Sequence, residues 1–98
     1  MRVTAIVTTS RAFLAHRLRA HVCLFLGPDL TCSLFSDSPS SLREASTRLQ
    51  AEHAAGERGT LVLEGVVRGI PRRLLQVLAG DLEAAACELE HELEGASC

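Results

Sequence analysis

Three arginines surround one predicted helix start, and they are the first candidates in this chain for binding an anion. Arg68, Arg72 and Arg73 stand in the stretch VVRGIPRRLLQ, where Pro71 suits the first turn of a helix. A helix start carries partial positive charge, so three nearby cations favour a negative partner. That partner is a protein carboxylate or a phosphate group, unless the three side chains simply point into water.

The cysteines and histidines form no recognisable catalytic or metal-binding motif. Cys87 and His91 are spaced i, i+4 on a predicted helix, but a zinc site needs four ligands and no second pair stands at a matching spacing. Cys23 and Cys32 fall on two neighbouring predicted strands in a diagonal relation, which is too far for a disulfide. A cysteine nucleophile needs an adjacent base, and the sequence pairs no histidine with a cysteine. We therefore expect a protein that is not an enzyme and that holds no metal or cofactor.

The composition predicts one packed domain that covers residues 1–98. Of the 98 residues, 47% are hydrophobic and 22% are charged, which is typical of a small globular protein. No apolar run approaches the ~20 residues of a membrane span, so we expect no membrane partner. With no convincing secretory signal, we expect free thiols and a cytoplasmic location. The alternative is an organelle, because residues 1–28 contain arginines and no acid, as a transit peptide does.

The first half of the chain predicts a strand, a helix, a hairpin and a second helix. RVTAIVTT alternates and is rich in β-branched residues, so residues 2–9 are predicted as a strand. Ser10 offers an N-cap for a helix over residues 11–21, with a buried stripe at helical spacing. Gly-Pro-Asp then predicts a hairpin between strands at residues 22–26 and 31–35. A surface helix is predicted over residues 40–55. The stripe of the first helix consists of Phe13, Leu14, Leu18 and Val22.

The second half predicts one apolar strand and one long helix. TLVLEGVV has the most apolar strand pattern in the chain, and Gly65 within it suggests a bulge or a close backbone approach. The helix is predicted over residues 70–94. The resulting order is a ferredoxin-like β-α-β-β-α-β pattern with an extra long C-terminal helix. We therefore expect an α+β fold with one antiparallel sheet and two helices on one face.

The leucine spacing of the C-terminal helix predicts a contact surface. Leucines recur there at steps of three and four, and acidic residues flank the distal ones. A helix that extends beyond so small a domain would expose an apolar strip, which monomers avoid. We expect a protein partner or a second copy on this strip, with Arg72 and Arg73 as charge partners. The alternative is an amphipathic helix packed on its own sheet. The proposed partner-binding residues are Leu78, Leu82, Leu89 and Leu93.

The last third of the chain resembles the small dimerising subunit of the KEOPS tRNA-modifying complex. The similar portion is LVLEGVVRGIPRRLLQVLAGDLEAAACEL, in which Leu74, Leu78 and Leu82 match the leucine pattern of that family's helix. The chain departs from the family at Ala79 and Gly80, where a small polar pair is expected. It also predicts a helix at residues 40–55 where the family has a hairpin. The resemblance implies a non-catalytic dimerisation subunit that acts near tRNA.

These features predict a non-catalytic protein–protein interaction or dimerisation module, a small subunit of a larger assembly. The alternative is a binder of anions or RNA phosphates that uses Arg68, Arg72 and Arg73. Nucleic acid is the less favoured partner, because the net charge is −2 and the apolar strand over residues 60–67 carries no aromatic side chain. A small enzyme is a third alternative, for which the sequence nominates no residues.

Overall fold

The structure is a computed structural model that describes residues 2–11 and 17–95, with side chains up to Glu92. The chain folds as an α+β protein with a long C-terminal helix, and both of these predictions are confirmed. A single 3₁₀ turn at Arg72–Leu74 leads into that helix. In chain order the elements are β1 (Val3–Arg11), β2 (Leu18–Leu26), β3 (Asp29–Ser36), α1 (Pro39–Ala54), β4 (Gly59–Leu63), β5 (Val66–Ile70) and α2 (Leu75–Gly95).

The first three strands form an antiparallel sheet in the order β1-β2-β3. Successive side chains of a strand point to opposite faces, so each strand here has an inner and an outer row. On the central strand the inner row is Ala20, Val22 and Leu24, all of which are buried. A bulge between Leu24 and Phe25 shifts the pairing with β3. The inner face of this sheet therefore belongs to the core, and the outer face is described below.

Strands β4 and β5 form a separate two-stranded hairpin where the sequence predicted one continuous strand. Its turn is Glu64-Gly65, with positive φ angles of 50° and 79°. Two positive φ values define a tight hairpin turn whose twist matches that of the strands. The Glu64 carboxylate accepts a 2.7 Å hydrogen bond from the Ser36 hydroxyl at the end of β3, which ties the turn to the larger sheet. The predicted bulge at Gly65 is therefore a chain reversal, and a hairpin stands directly before α2.

The predicted β-α-β-β-α-β order is not found in the described residues. Strand β2 begins at Leu18, so the C-terminal half of the helix predicted over residues 11–21 is wrong. Phe13 and Leu14, which belonged to the predicted stripe, lie outside the described residues. The observed order is β-β-β-α-β-β-α, with two sheets rather than one. Leu18 and Val22 lie four residues apart, a spacing that puts them on one face of a helix but equally on one face of a strand.

The two helices pack against each other, and α2 also covers β1 and β2. Helix α1 begins at Pro39 because the Ser38 hydroxyl accepts a 3.3 Å hydrogen bond from the Ser41 N–H. Between the helices, the buried Ser46 hydroxyl donates a 2.8 Å hydrogen bond to the Ala79 carbonyl. The core side chains on both helices are mostly leucines and alanines. Neither described helix is long and apolar enough to cross a membrane.

Candidate functional site

The leucines proposed as partner contacts lie inside the chain's own core. Leu78, Leu82 and Leu89 are 1%, 0% and 2% exposed. Helix α1 and the inner faces of β1 and β2 cover this side of α2, so the apolar strip we expected on the surface is not available there. The side chain of Leu93 lies beyond the described side chains. A contact surface on this chain must therefore be sought elsewhere.

Three acidic residues of α2 contact arginines of the same chain. Arg43 on α1 forms ion pairs with Glu83, at 3.2 Å, and with Glu90. Arg11 at the end of β1 pairs with Glu92. The hydrogen bond from Arg11 lowers the pKa of Glu92 from its ordinary value of 4.5. These glutamates therefore link α2 to α1 and β1 of the same chain, and their arginine partners do not come from another molecule.

Arg72 contacts the C-terminal end of α1. Its guanidinium donates a 2.6 Å hydrogen bond to the Glu57 carbonyl and a 3.4 Å hydrogen bond to the His53 carbonyl. The last carbonyls of a helix lack helical partners and carry partial negative charge. The negative group that Arg72 faces is therefore backbone, and the side chain links the start of α2 to the end of α1.

The other two arginines of the predicted anion site point to different places. Arg73 donates to the Val3 carbonyl at the start of β1. Arg68 is exposed on β5 and donates a 3.3 Å hydrogen bond to the neighbouring Val67 carbonyl. The structure thus brings Arg68, Arg72 and Arg73 to one end of the molecule, but it does not converge them on a single point.

A cavity of about 440 Å³ lies at this same end, between the start of β1 and the open end of the β4–β5 hairpin. Arg58 is its one charged lining residue among the described residues, and Arg2, Arg68, Arg72 and Arg73 neighbour the lining in sequence. This end of the molecule is therefore rich in arginine. The remaining lining residues are Val3, Gly59, Thr60, Gly69, Ile70 and Pro71.

The outer face of the β1-β2-β3 sheet, which we call the open face, exposes large apolar side chains in the part of the chain that the structure describes. Ile6 is 47% exposed and Phe35 is 42% exposed, although both are large apolar side chains in regular strands. The helices contact this sheet on its opposite face, where β2 buries its inner row. The described outward residues include no acid. From β1 to β3 the open face comprises Thr4, Ile6, Thr8, Ser10, Arg19, His21, Cys23, Phe25, Leu30, Ser33 and Phe35.

An ordered stack occupies one half of the open face. The rings of His21 and Phe35, which are paired across β2 and β3, lie 4.1 Å apart and within 12° of parallel. The Arg19 guanidinium lies 4.1 Å from the centroid of the Phe35 ring, close enough for a cation–π contact. Among the described residues, the buried Nε of Arg19 has no hydrogen-bond partner. The stack fixes the orientation of His21 and leaves a donor of Arg19 unsatisfied.

His21 also contacts Cys23 and Ser33. Its Nε2 lies 3.1 Å from the Cys23 sulfur and 2.5 Å from the Ser33 hydroxyl. Our sequence reasoning missed this cluster because it assigned His21 to a helix and Cys23 to a strand. The signal was present in the sequence, since residues i and i+2 of a strand share a face. The arrangement puts a base within reach of a thiol.

In the described parts of the chain, no three His, Cys, Asp or Glu side chains are grouped so that they could hold a metal ion. Comparison of the sequence with models of protein families and with curated proteins gives no match, and comparison of the fold with solved structures gives none either.

Proposed function

We propose that this protein is a non-catalytic interaction module that forms a homodimer through its open face. The observation that carries the proposal is the exposure of Ile6 and Phe35 on a sheet whose other face packs against the helices. A sheet buries its apolar face against another layer, and the described residues supply that layer on one side only. A contiguous apolar patch rimmed by polar side chains is the usual mark of a protein contact surface.

The positions of Arg19 and Phe25 favour a second copy of the chain as the occupant. The basic Arg19 lies at one end of the central strand on the open face, and the aromatic Phe25 lies at the other end. In a copy turned end for end about a two-fold axis, Arg19 approaches the Phe25 ring of the second molecule, where a cation–π contact can form. The opposite orientation would bring two Arg19 side chains together. Such a contact is self-complementary, as a two-fold interface requires.

The size of the open face indicates a modest affinity. Three strands spaced about 4.8 Å apart, with about 3.4 Å per residue, span roughly 15 by 30 Å. That is about 450 Å², whereas stable interfaces typically remove about 800 Å² of accessible surface per partner, so this face is smaller than a typical stable interface. We therefore expect a dimer that dissociates on dilution. Sheets packed face to face align at about 30°, which allows this contact without remodelling of the strands.

A reducing compartment, the cytoplasm, is the setting that we propose. Cys23, Cys32 and Cys87 are free thiols in the structure. Free thiols persist where glutathione and thioredoxin keep them reduced.

The test is the weight-average mass as a function of concentration, measured by light scattering. As the concentration increases, the weight-average mass of the wild type should rise from 10.5 kDa towards twice that value. Ile6→Lys should remain at the monomer mass, because it buries a charge in the contact. Val77→Lys is the matched control, since Val77 is 62% exposed on α2, away from the sheet. A wild type that stays monomeric at every concentration would contradict the proposal.

A second candidate function, binding of anions or RNA phosphates, is favoured by the cavity beside Arg58. The arginine-rich end offers several guanidinium groups, and the resemblance to the KEOPS subunit would place the protein near tRNA. Arg72 and Arg73 act as tethers to backbone carbonyls, so Arg58 and Arg68 are the residues we expect to meet a phosphate.

Titration with tRNA at several salt concentrations tests this second function. Binding should weaken steeply as salt rises, because each phosphate contact releases counterions. Arg58→Glu combined with Arg68→Glu should abolish binding. Arg17→Glu, at an exposed arginine that pairs with Asp37 instead, should leave it unchanged. Equal losses in both variants would point to nonspecific charge attraction and would count against the site.

A further inference from the structure

Cys23 is placed as a reactive thiol, and we infer that it is a modification site for small electrophiles and hydroperoxides, with His21 as its proton acceptor. The inference on reactivity is independent of the dimer, whereas its control by association rests on the proposed function. Its basis is the cluster at the middle of the open face, where the Cys23 sulfur lies 3.1 Å from His21 Nε2 and 3.7 Å from His21 Nδ1.

The orientation of His21 is fixed by contacts on other strands. Its ring stacks on Phe35, and its Nε2 lies 2.5 Å from the Ser33 hydroxyl. Both contacts come from β3. Strand β3 therefore positions the imidazole of His21, and Cys23 lies two residues after His21 on β2. A base that is held in position beside a sulfur is the arrangement that activates a cysteine nucleophile. When His21 Nε2 takes the proton, its single N–H lies beside both the thiolate and the Ser33 hydroxyl oxygen, and the two share it as acceptors.

The chemistry balances with a hydroperoxide as the oxidant. The Cys23 thiol transfers its proton to His21, and the resulting thiolate attacks the terminal oxygen of the hydroperoxide. An S–O bond forms, and the O–O bond breaks. The leaving alkoxide or hydroxide takes the proton from the imidazolium and departs as an alcohol or as water. Sulfur is oxidised by two electrons to a sulfenic acid, and the peroxide is reduced by two. A haloacetamide reacts with the same thiolate by displacement of halide, with a C–S bond formed.

The other described cysteines provide internal comparisons. Cys32 is 8% exposed and faces the core, so reagents reach it only when the chain opens. Cys87 is exposed on α2, and its sulfur lies 3.6 Å from the Arg43 guanidinium. An exposed thiol reacts with the same reagents, so Cys87 must be removed before Cys23 is measured. The sulfur of Cys23 differs from both, because it is half-exposed and has a base beside it.

Association of two copies should shield this thiol. Cys23 pairs in register with Ile6 on one side and with Ser33 on the other, at the middle of the open face. A second copy on this face covers the sulfur, so only the dissociated chain reacts. Conversely, a sulfenic acid or a carboxamidomethyl group adds polar bulk at the centre of the contact and opposes dimer formation. The open face would then respond to oxidants through one side chain.

The experiment uses the full chain with Cys87→Ser and Cys98→Ser, and iodoacetamide as the probe. Alkylation of Cys23 and of Cys32 is followed by mass spectrometry of the fragment ions, with protein concentrations below and above the dissociation range. His21→Phe is the critical variant, because it retains an aromatic ring against Phe35 but has no base. We expect it to lower the second-order rate constant at Cys23 by about tenfold or more. Cys32 should stay unreactive in every sample, which shows that the chain remains folded.

The outcomes separate the two proposals. A rate at Cys23 that depends on His21 and falls as protein concentration rises supports both the thiol site and its shielding by a dimer. A rate that depends on His21 but not on concentration supports the thiol site and contradicts the dimer. An unchanged rate in His21→Phe, with Cys32 still protected, overturns the inference even if the protein dimerises. A hydroperoxide with a sulfenic-acid trap should label Cys23 with the same dependence on His21.

Discussion

Gly59 lies directly against Leu75, and no room remains between them for a methyl group. A Cβ atom at Gly59 would lie 1.8 Å from Leu75 Cδ2 and 3.2 Å from the Ile70 carbonyl oxygen. Leu75 is fully buried, so it has little space into which to move. This contact joins the first residue of β4 to the first residue of α2, and it fixes where the hairpin meets the C-terminal helix.

Gly59→Ala should therefore destabilise the protein by about 1–3 kcal/mol, the usual cost of overpacking a core. Urea unfolding followed by circular dichroism measures the change. Gly69→Ala is the matched control, since Gly69 lies in the partner strand and a Cβ there meets nothing within 4 Å. Equal stabilities of the two variants would show that Leu75 does not pack as described.

The hydrogen bond from Ser46 to Ala79 should contribute measurably to helix packing. Ser46 is fully buried and also accepts a 3.0 Å hydrogen bond from the Gln50 amide, so Ser46→Ala removes two contacts. We expect a loss of about 1 kcal/mol in the free energy of unfolding, even though alanine favours the helix. Thr47→Ala, at the exposed neighbouring position, should not destabilise the protein. An Ser46→Ala variant as stable as the wild type would argue against the role of this hydrogen bond.

The ion pair between Arg11 and Glu92 should make stability depend on pH. Because the pKa of Glu92 is lowered in the folded state, its charged form stabilises the fold above its ordinary pKa of 4.5. That stabilisation is lost as pH falls from about 4.5 through the lower folded-state pKa. The melting temperature of Glu92→Gln should therefore be lower than that of the wild type at pH 7, and this difference should shrink in the acid range. Glu44→Gln, at an exposed position on α1, serves as the reference. A difference in melting temperature that is constant across this range would contradict the ion pair.

The sequence predicted the elements whose residue patterns have only one physical reading. The alternation of RVTAIVTT placed β1, and Gly-Pro-Asp placed the β2–β3 hairpin. Two errors arose where a pattern had two readings. Leu18 and Val22 suited a helix and a strand equally, and the pairing of β2 with β1 decided between them. Glu64-Gly65 lacked the usual Asn-Gly or Asp-Gly of a tight turn, so a hairpin was taken for one strand.

The same two errors prevented prediction of the candidate site. The predicted strand began at residue 22, whereas β2 begins at Leu18. The prediction therefore did not place His21 beside Cys23, and it left out half of the central strand of the open face. The leucine seam of α2 was recognised, but spacing alone could not tell whether the chain's own layers would cover it. Arg72 was expected to face an acid, a phosphate or water, whereas the carbonyls of His53 in the last turn of α1 and of Glu57 just after it accept its hydrogen bonds. Backbone partners of this kind depend on tertiary packing and leave no mark in a sequence.

The most direct measurement is an isotope-filtered NOE experiment on a mixture of labelled and unlabelled chains at high concentration. Two-fold packing of the open faces predicts contacts between the Phe25 ring of one copy and the Arg19 side chain of the other, and contacts to the Ile6 methyl groups. These signals should vanish on dilution and in Ile6→Lys. The absence of intermolecular signals, or signals confined to the outer surfaces of α1 and α2, would contradict a dimer built on this face.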